Sequence, residues 1–560
     1  MNKQEQNKPE GSVERTQRMG GRSLQWLRPS HEHTAFSATI LLMLSAFLSR
    51  IIGLVRIKVI AYFFGAGSLT DAYNAAFQLP DMISYLLVGG VASITFITIL
   101  SRYREQGKEA EGEQAMSVIL STMLLVLGVA VLLGELFAPM YTRAFFPGFN
   151  AEKAALCTHM TRILLPGQLF FFAGGVLAAV LLVRKQFAYQ AVSPLIYSLG
   201  IILGAVLLAR YFSVSSLAIG ALAGAFAGPF LLNAIGTRRA GLRFRFQLNW
   251  SHPGLREWVR LSIPLMLGVS LVSADTWILN HFASHGLGDI ARLSYAKQLF
   301  TAPMAILGQA AGAASLPFFA ALIGKGRMQD FAASVNRSVT RIFAFAFLLS
   351  AWMIGLAYPV VDFVLRGGSF HHADATKTAL YFSLFAGSLC MWCAQAIYAR
   401  AFYAAGNTLT PMVASTLITA ASIPLYWFLF HHMGVVGLAL ASDIGIVVQT
   451  LALALLLDWC KLVRIRGMEF SELGRALLAA IAGGSELFLL ARLLPSAGTI
   501  PRDMLQLACG TVAWFLTCWV ILYATGSTLP QQLITRLRSR NGATPPVAVS
   551  YASENDQSAS

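Results

Sequence analysis

Three cations stand within one apolar stretch: Arg50, Arg56 and Lys58, in the run LSRIIGLVRIKVIAYFFGAGSLTDAY. A charged side chain at membrane depth costs roughly 2.5–3.5 kcal/mol on insertion scales, so it needs water, a partner or a ligand. Arg50 lies 13 residues past the start of the span at residue 37. That is about 20 Å along a helix, near mid-bilayer. At 100° per residue Arg50 and Lys58 are about 80° apart, and Arg56 is about 120° away on the other side. Two of the three therefore share a wet face more readily than all of them, and Arg56 and Lys58 have the alternative of snorkelling toward an interface. An electropositive chamber inside a membrane calls for an anionic ligand, and phosphate is the obvious candidate.

The carboxylates are the counterpart. Asp71 and Asp81 flank the start of the next apolar span. Thr70-Asp71 suits an N-cap on that helix, since both side chains accept from free N–H groups, and a cavity role is compatible with it. Asp275, in SADTWILNHF, has no such inexpensive role. It can pair with Lys297 in the following span, or hold a coupling cation with Ser273 or Asn280; the salt bridge is favoured. Cys390 and Cys393 have CxxC spacing inside an apolar span, where small cysteines pack well. His371-His372 with Asp374 reads as a solvated loop, and Cys157 and His159 are similar. The sequence holds no Walker A, GxSxG or HExxH pattern, so neither ATP use nor bond hydrolysis is expected. Without a cofactor or metal, the energy would come from a monovalent cation, the membrane potential or substrate supply.

The elements that must hold these residues follow from composition. The chain has 560 residues, 56% hydrophobic and 12% charged, with mean hydropathy +0.62. A soluble domain carries about 25% charged residues, so a cytosolic multidomain enzyme and a disordered chain are excluded. Six cysteines are too sparse for a disulfide scaffold. The net charge of +16 sits in short clusters between long apolar stretches, the pattern of a polytopic membrane protein and not of a nucleic-acid binder. Fourteen stretches are long enough to cross a bilayer, at about 20 residues each. With the N-terminus inside, the inner segments hold 29 Lys and Arg against 9 outside, which predicts both termini in the cytoplasm.

An internal repeat organises the spans. Residues 181–204 resemble residues 397–420, with Arg184 answering Arg400 and Ser193-Pro194 answering Thr410-Pro411. The offset of about six spans predicts two six-helix lobes in the same orientation, the arrangement in which transporters bind between lobes. The predicted units are a basic tail (1–36), an N-lobe (37–237), a C-lobe (238–458), two further helices (459–525) and a C-terminal tail (526–560).

Several motifs resemble the MviN/MurJ family of lipid II flippases, within a superfamily of multidrug exporters and polysaccharide flippases. They are Ser49-Arg50 and Arg56, FGAGSLTDAY (Phe64 to Tyr73), Phe77 to Pro80, TRILLP (Thr161 to Pro166), Tyr295-Ala296 and Ser315-Leu316-Pro317. The resemblance spans residues of about 38–525. It implies fourteen helices, a central cationic cavity between two lobes, and a groove on the last two helices for a polyprenyl tail. The implied activity is translocation of lipid II, a peptidoglycan precursor, across the bacterial inner membrane, with cell-wall synthesis proteins as partners. Another undecaprenyl-pyrophosphate-linked glycan and a cation-coupled drug exporter are the alternatives. By position the resemblance implies roles for Arg50, Arg56 and Asp71; with the residues that stand at the remaining cavity positions, the predicted substrate-binding set is Arg50, Arg56, Lys58, Asp71, Ser84, Lys297 and Gln298. Departures fall where the family carries arginines in the second helix (here Ser84-Tyr85) and Asp-Arg in the eighth (here Lys297-Gln298).

Overall fold

Inside hydrocarbon there is no water to satisfy a free amide, so a long apolar run closes its hydrogen bonds internally as a helix. The computed structural model describes residues 35–85, 100, 102–103, 106–241, 244–266, 271–464, 467–493 and 499–531. Among the described residues every regular element is helical, apart from an isolated antiparallel bridge between Gly367 and Phe370. Most of the N-terminal tail, residues 86–99 of the predicted second span and the tail beyond residue 531 lie outside the described residues.

The first half runs α1 (Ala35–Phe64), α2 (Ser68–Ala76), α3 (Gln78–Ile83), α4 (Glu109–Phe145), α5 (Ala151–Leu164), α6 (Gly167–Val183), α7 (Phe187–Leu203) and α8 (Ser215–Ala225). The second runs α9 (Pro253–Met266), α10 (Leu271–Ala283), α11 (Asp289–Met304), α12 (Ala310–Gly324), α13 (Met328–Gly355), α14 (Ala357–Leu365), α15 (His372–Gly387), α16 (Leu389–Ala404) and α17 (Leu409–Trp459). Two helices follow, α18 (Phe470–Leu493) and α19 (Ile500–Ala524).

Nine helices among the described residues are each long and apolar enough to span a membrane, and α15 with α16, bent by 44°, makes a tenth. Several predicted single spans are broken. The stretch 338–365 divides at Leu356, whereas the predicted spans 408–430 and 434–458 stay separate: Gly434 has a non-helical backbone (φ +60°, ψ −140°) that turns the chain between them, and Gln449 of the second donates to Ser415 of the first at 2.8 Å. Pro229 and Pro303 lie in or beside π-helical turns at Phe226–Leu232 and Ala305–Gln309, where a missing donor is absorbed by a locally wider helix.

Small residues set the closest approach. A methyl group on Gly200 would lie 2.6 Å from the Gly224 α-carbon, and one on Gly204 would lie 2.5 Å from the Ser216 carbonyl oxygen. This lets α7 seat directly on α8, the packing that membrane helices use in place of a hydrophobic drive. α1 then lies along α7, and α18 along α13 and α19. The repeated Ser/Thr-Pro pairs sit at different depths: Pro194 is inside α7, whereas Pro411 is in the first turn of α17.

Candidate functional site

Helices of both halves enclose a cavity of about 400 Å³. α1 contributes Arg56, Ile57 and Ile60; α2 and α3 bring Tyr73, Asn74 and Asp81; α10 brings Thr276 and Asn280; α11 brings Ser294, Lys297, Gln298 and Thr301. A second cavity, of about 580 Å³, lies within the first half among α3, α6, α7 and α8. The two meet at Phe77, Asp81 and Tyr197, which line both. Polar and charged walls thus occur where the surrounding helices are apolar.

The three cations of α1 separate. Arg56 lines the cavity, and among the described residues no carboxylate or hydrogen bond reaches it. Arg50 is exposed and lines neither cavity. It does share the helical face of Ile57: seven residues leave it about 20° off that face and about 10 Å nearer the N-terminal end. It therefore stands outside the chamber. Lys58 lines neither cavity. It projects from the opposite face and donates its ammonium to the carbonyl of Arg366, beyond the end of α14.

Asp71 also lies away from the cavities. It neither faces the cavity nor caps its own helix, whose N-cap Gly67 receives no side-chain bond. Fully buried, it takes the Lys153 ammonium at 2.7 Å, the Gly288 N–H at 2.7 Å and the Ala291 N–H at 2.8 Å. Gly288 is the N-cap of α11, so a carboxylate of the first half caps a helix of the second. Around it Tyr295 donates to the Gly65 carbonyl at 2.9 Å, Arg292 pairs with Asp374 at 2.9 Å, and the Ser369 N–H bonds the Tyr62 carbonyl at 2.8 Å. A methyl on Gly368 would meet that same Tyr62 oxygen at 2.1 Å. These contacts form a seam that closes one end of the chamber.

Lys297 lines the cavity while its ammonium holds the buried Asp275 carboxylate and Thr276 Oγ1, the latter at 2.9 Å. Tyr426 also donates to Asp275. The favoured salt bridge is thus present, and a charge buried at this depth is paired as energetics require. Asn280 donates to Gln78 at 3.2 Å and Gln298 to Ser294 at 3.0 Å, both on the cavity wall. Ser84 lines the second cavity and not the first. Among the described residues no cluster of side chains is set to hold a metal ion, and Cys390 and Cys393 are buried free thiols.

Sequence reasoning did not identify Lys153, Tyr426 or the cavity position of Asp81. A lysine at the head of the run KAALC, ahead of TRILLP, was a signal for the first.

The profile of the family described as lipid II flippase MurJ matches residues 60–524. A probable lipid II flippase MurJ of Rickettsia prowazekii is 27% identical over 422 residues, covering 74% of this chain and 82% of that protein. The lipid II flippase MurJ of Burkholderia cenocepacia is 28% identical, again covering 74% and 82%. A solved lipid II flippase MurJ in an inward closed conformation superposes with TM-score 0.72 at 20% identity, covering 87% of this chain and 99% of its own. An inward-facing multidrug transporter of the MATE family superposes at 0.60 with 14% identity, covering 80% and 98%. With the profile match spanning both halves, the cavity between them and the seam, the chain belongs to the lipid II flippase MurJ family.

Proposed function

We propose that this protein carries lipid II across the bacterial inner membrane by alternating access, with both termini in the cytoplasm. A pyrophosphate and its sugars cannot cross roughly 30 Å of hydrocarbon unaided. The observation that carries the reading is the Arg56 guanidinium, unpaired among the described residues, in a chamber walled by both halves. Arg56 is the primary contact for the pyrophosphate, Lys297 a second cation within reach of it, and Arg50 a charge on the approach. Asn280 and Gln298 supply neutral polar contacts, while the polyprenyl tail stays in lipid. With the Lys and Arg bias as the guide to orientation, the seam at Asp71 lies at the outer end and the chamber is reached from the cytoplasm. Cargo release then requires the seam to part. Coupling to a monovalent cation or to membrane potential, and contact with cell-wall synthesis proteins, belong to the same reading.

The test is growth of cells depleted of their own lipid II flippase. The wild-type chain should restore growth, and Arg56→Ala at equal membrane abundance should not. Full rescue by both Arg56→Ala and Arg50→Ala would remove the phosphate contact from the mechanism.

A further inference from the structure

Most carboxylates deep in this bundle are spoken for. Asp71 holds Lys153, Asp275 holds Lys297, Asp362 holds Arg366 and Asp443 accepts from Ser388. Asp81 is different. It is solvent-accessible, lines both cavities where they join, and among the described residues has neither ion pair nor hydrogen bond. Arg56 lines the same chamber without pairing to it. The second cavity adds an independent feature: Gln168, 5% exposed, lines it with a buried Oε1 that has no hydrogen-bond partner. The Ser84 hydroxyl and Tyr197 share that lining.

We propose that Asp81, backed by Gln168 and Ser84, is a binding site for one monovalent cationic group at the junction of the two cavities. A buried acceptor left unpaired is costly, and a cation beside Asp81 would satisfy Gln168 Oε1 and the carboxylate together. One carboxylate with neutral oxygens balances a single positive charge. A divalent ion seeks more oxygen ligands and more charge than this wall offers, and Arg56 and Lys297 nearby oppose a second positive charge. Two sources present the required chemistry: a free alkali cation, or an ammonium group on the cargo. Only the second rests on the flippase reading.

The experiment uses the full chain purified in detergent and two probes. Sodium-22 binding reads the free cation. A polyprenyl-pyrophosphate glycopeptide with a free side-chain amine, compared with its N-acetylated form, reads the ammonium. Wild-type protein should bind sodium saturably, or should prefer the free amine by about tenfold or more. Asp81→Asn should erase whichever effect is seen, and Gln168→Leu should weaken it, as expected for loss of a charge-assisted contact. Undecaprenyl pyrophosphate binding serves as the folding control and should survive in both variants. Sodium binding unchanged by Asp81→Asn overturns the site, as does the absence of both effects in wild-type protein. Failure of wild-type protein to bind undecaprenyl pyrophosphate would instead count against the flippase reading, while Asp81-dependent sodium binding would leave the site standing.

Discussion

At the scale of single residues, the chamber holds two cations in different electrical states. Arg56 has no counter-charge among the described residues, whereas Lys297 is matched to a fully buried Asp275 that also accepts from Tyr426. Truncating one partner of such a pair strands the other: the penalty is about 3–5 kcal/mol in soluble proteins, and polar contacts in membranes run smaller. Lys297→Ala should therefore lower the thermal midpoint of the purified protein markedly, and adding Asp275→Asn should recover much of the loss. Arg56→Ala, which strands nothing, should leave the midpoint nearly unchanged while abolishing rescue of growth. Equal midpoints for Lys297→Ala and the double variant would show that the stranded Asp275 carboxylate carries no penalty.

At the scale of elements, α11 depends on the other half for its N-terminal cap. Gly288 offers no side chain, and the Gly288 and Ala291 amides are satisfied by Asp71. Hydrogen bonds to a charged acceptor contribute about 1.5–3 kcal/mol each, so Asp71→Asn should bias the seam toward parting. Ala66, 6% exposed beside the Arg292 guanidinium, is a suitable reporter. A cysteine there, with Cys460 and Cys509 replaced, should react slowly with a maleimide in otherwise native protein. It should react about tenfold faster or more when Asp71→Asn is added, taking 1.4 kcal/mol per tenfold. Identical rates would mean that the cap does not hold the seam. The same element shows where sequence reading stops. Apolar runs identify helices because hydrocarbon leaves the backbone no other choice, and helical angle correctly separates the face of Arg56 from that of Lys58. What stands opposite a face is a different matter: Asp71 meets Gly288 across 217 residues, and Lys58 meets Arg366 across 308. No local spacing encodes such a partner. The motif that carries Asp71 therefore marked the residue without distinguishing a cavity ligand from a gate.

At the scale of the whole molecule, the cavity and the seam are two aspects of one arrangement. The halves touch tightly near Tyr62, Gly65, Gly288 and Ser369 and diverge around Arg56 and Lys297. If transport alternates access, closure at the seam must be one phase of the cycle and its parting the next, so fixing it shut must stop turnover without unfolding the protein. The Ser369 N–H bonds the Tyr62 carbonyl at 2.8 Å, so the two backbones adjoin across the seam, where a disulfide is the direct way to tie them. Tyr62→Cys with Ser369→Cys, in a background lacking Cys460 and Cys509, should therefore oxidise readily. The oxidised double variant should neither rescue growth nor move lipid II in a leaflet-exchange assay in vesicles. Reductant should restore both, and either single variant should remain active throughout. The substitutions lie outside both cavities, so binding of undecaprenyl pyrophosphate should persist in the locked state, separating a block of motion from a loss of affinity. Full transport with the disulfide intact would mean that cargo leaves by a route that never parts the seam, and the two halves would then not alternate about it.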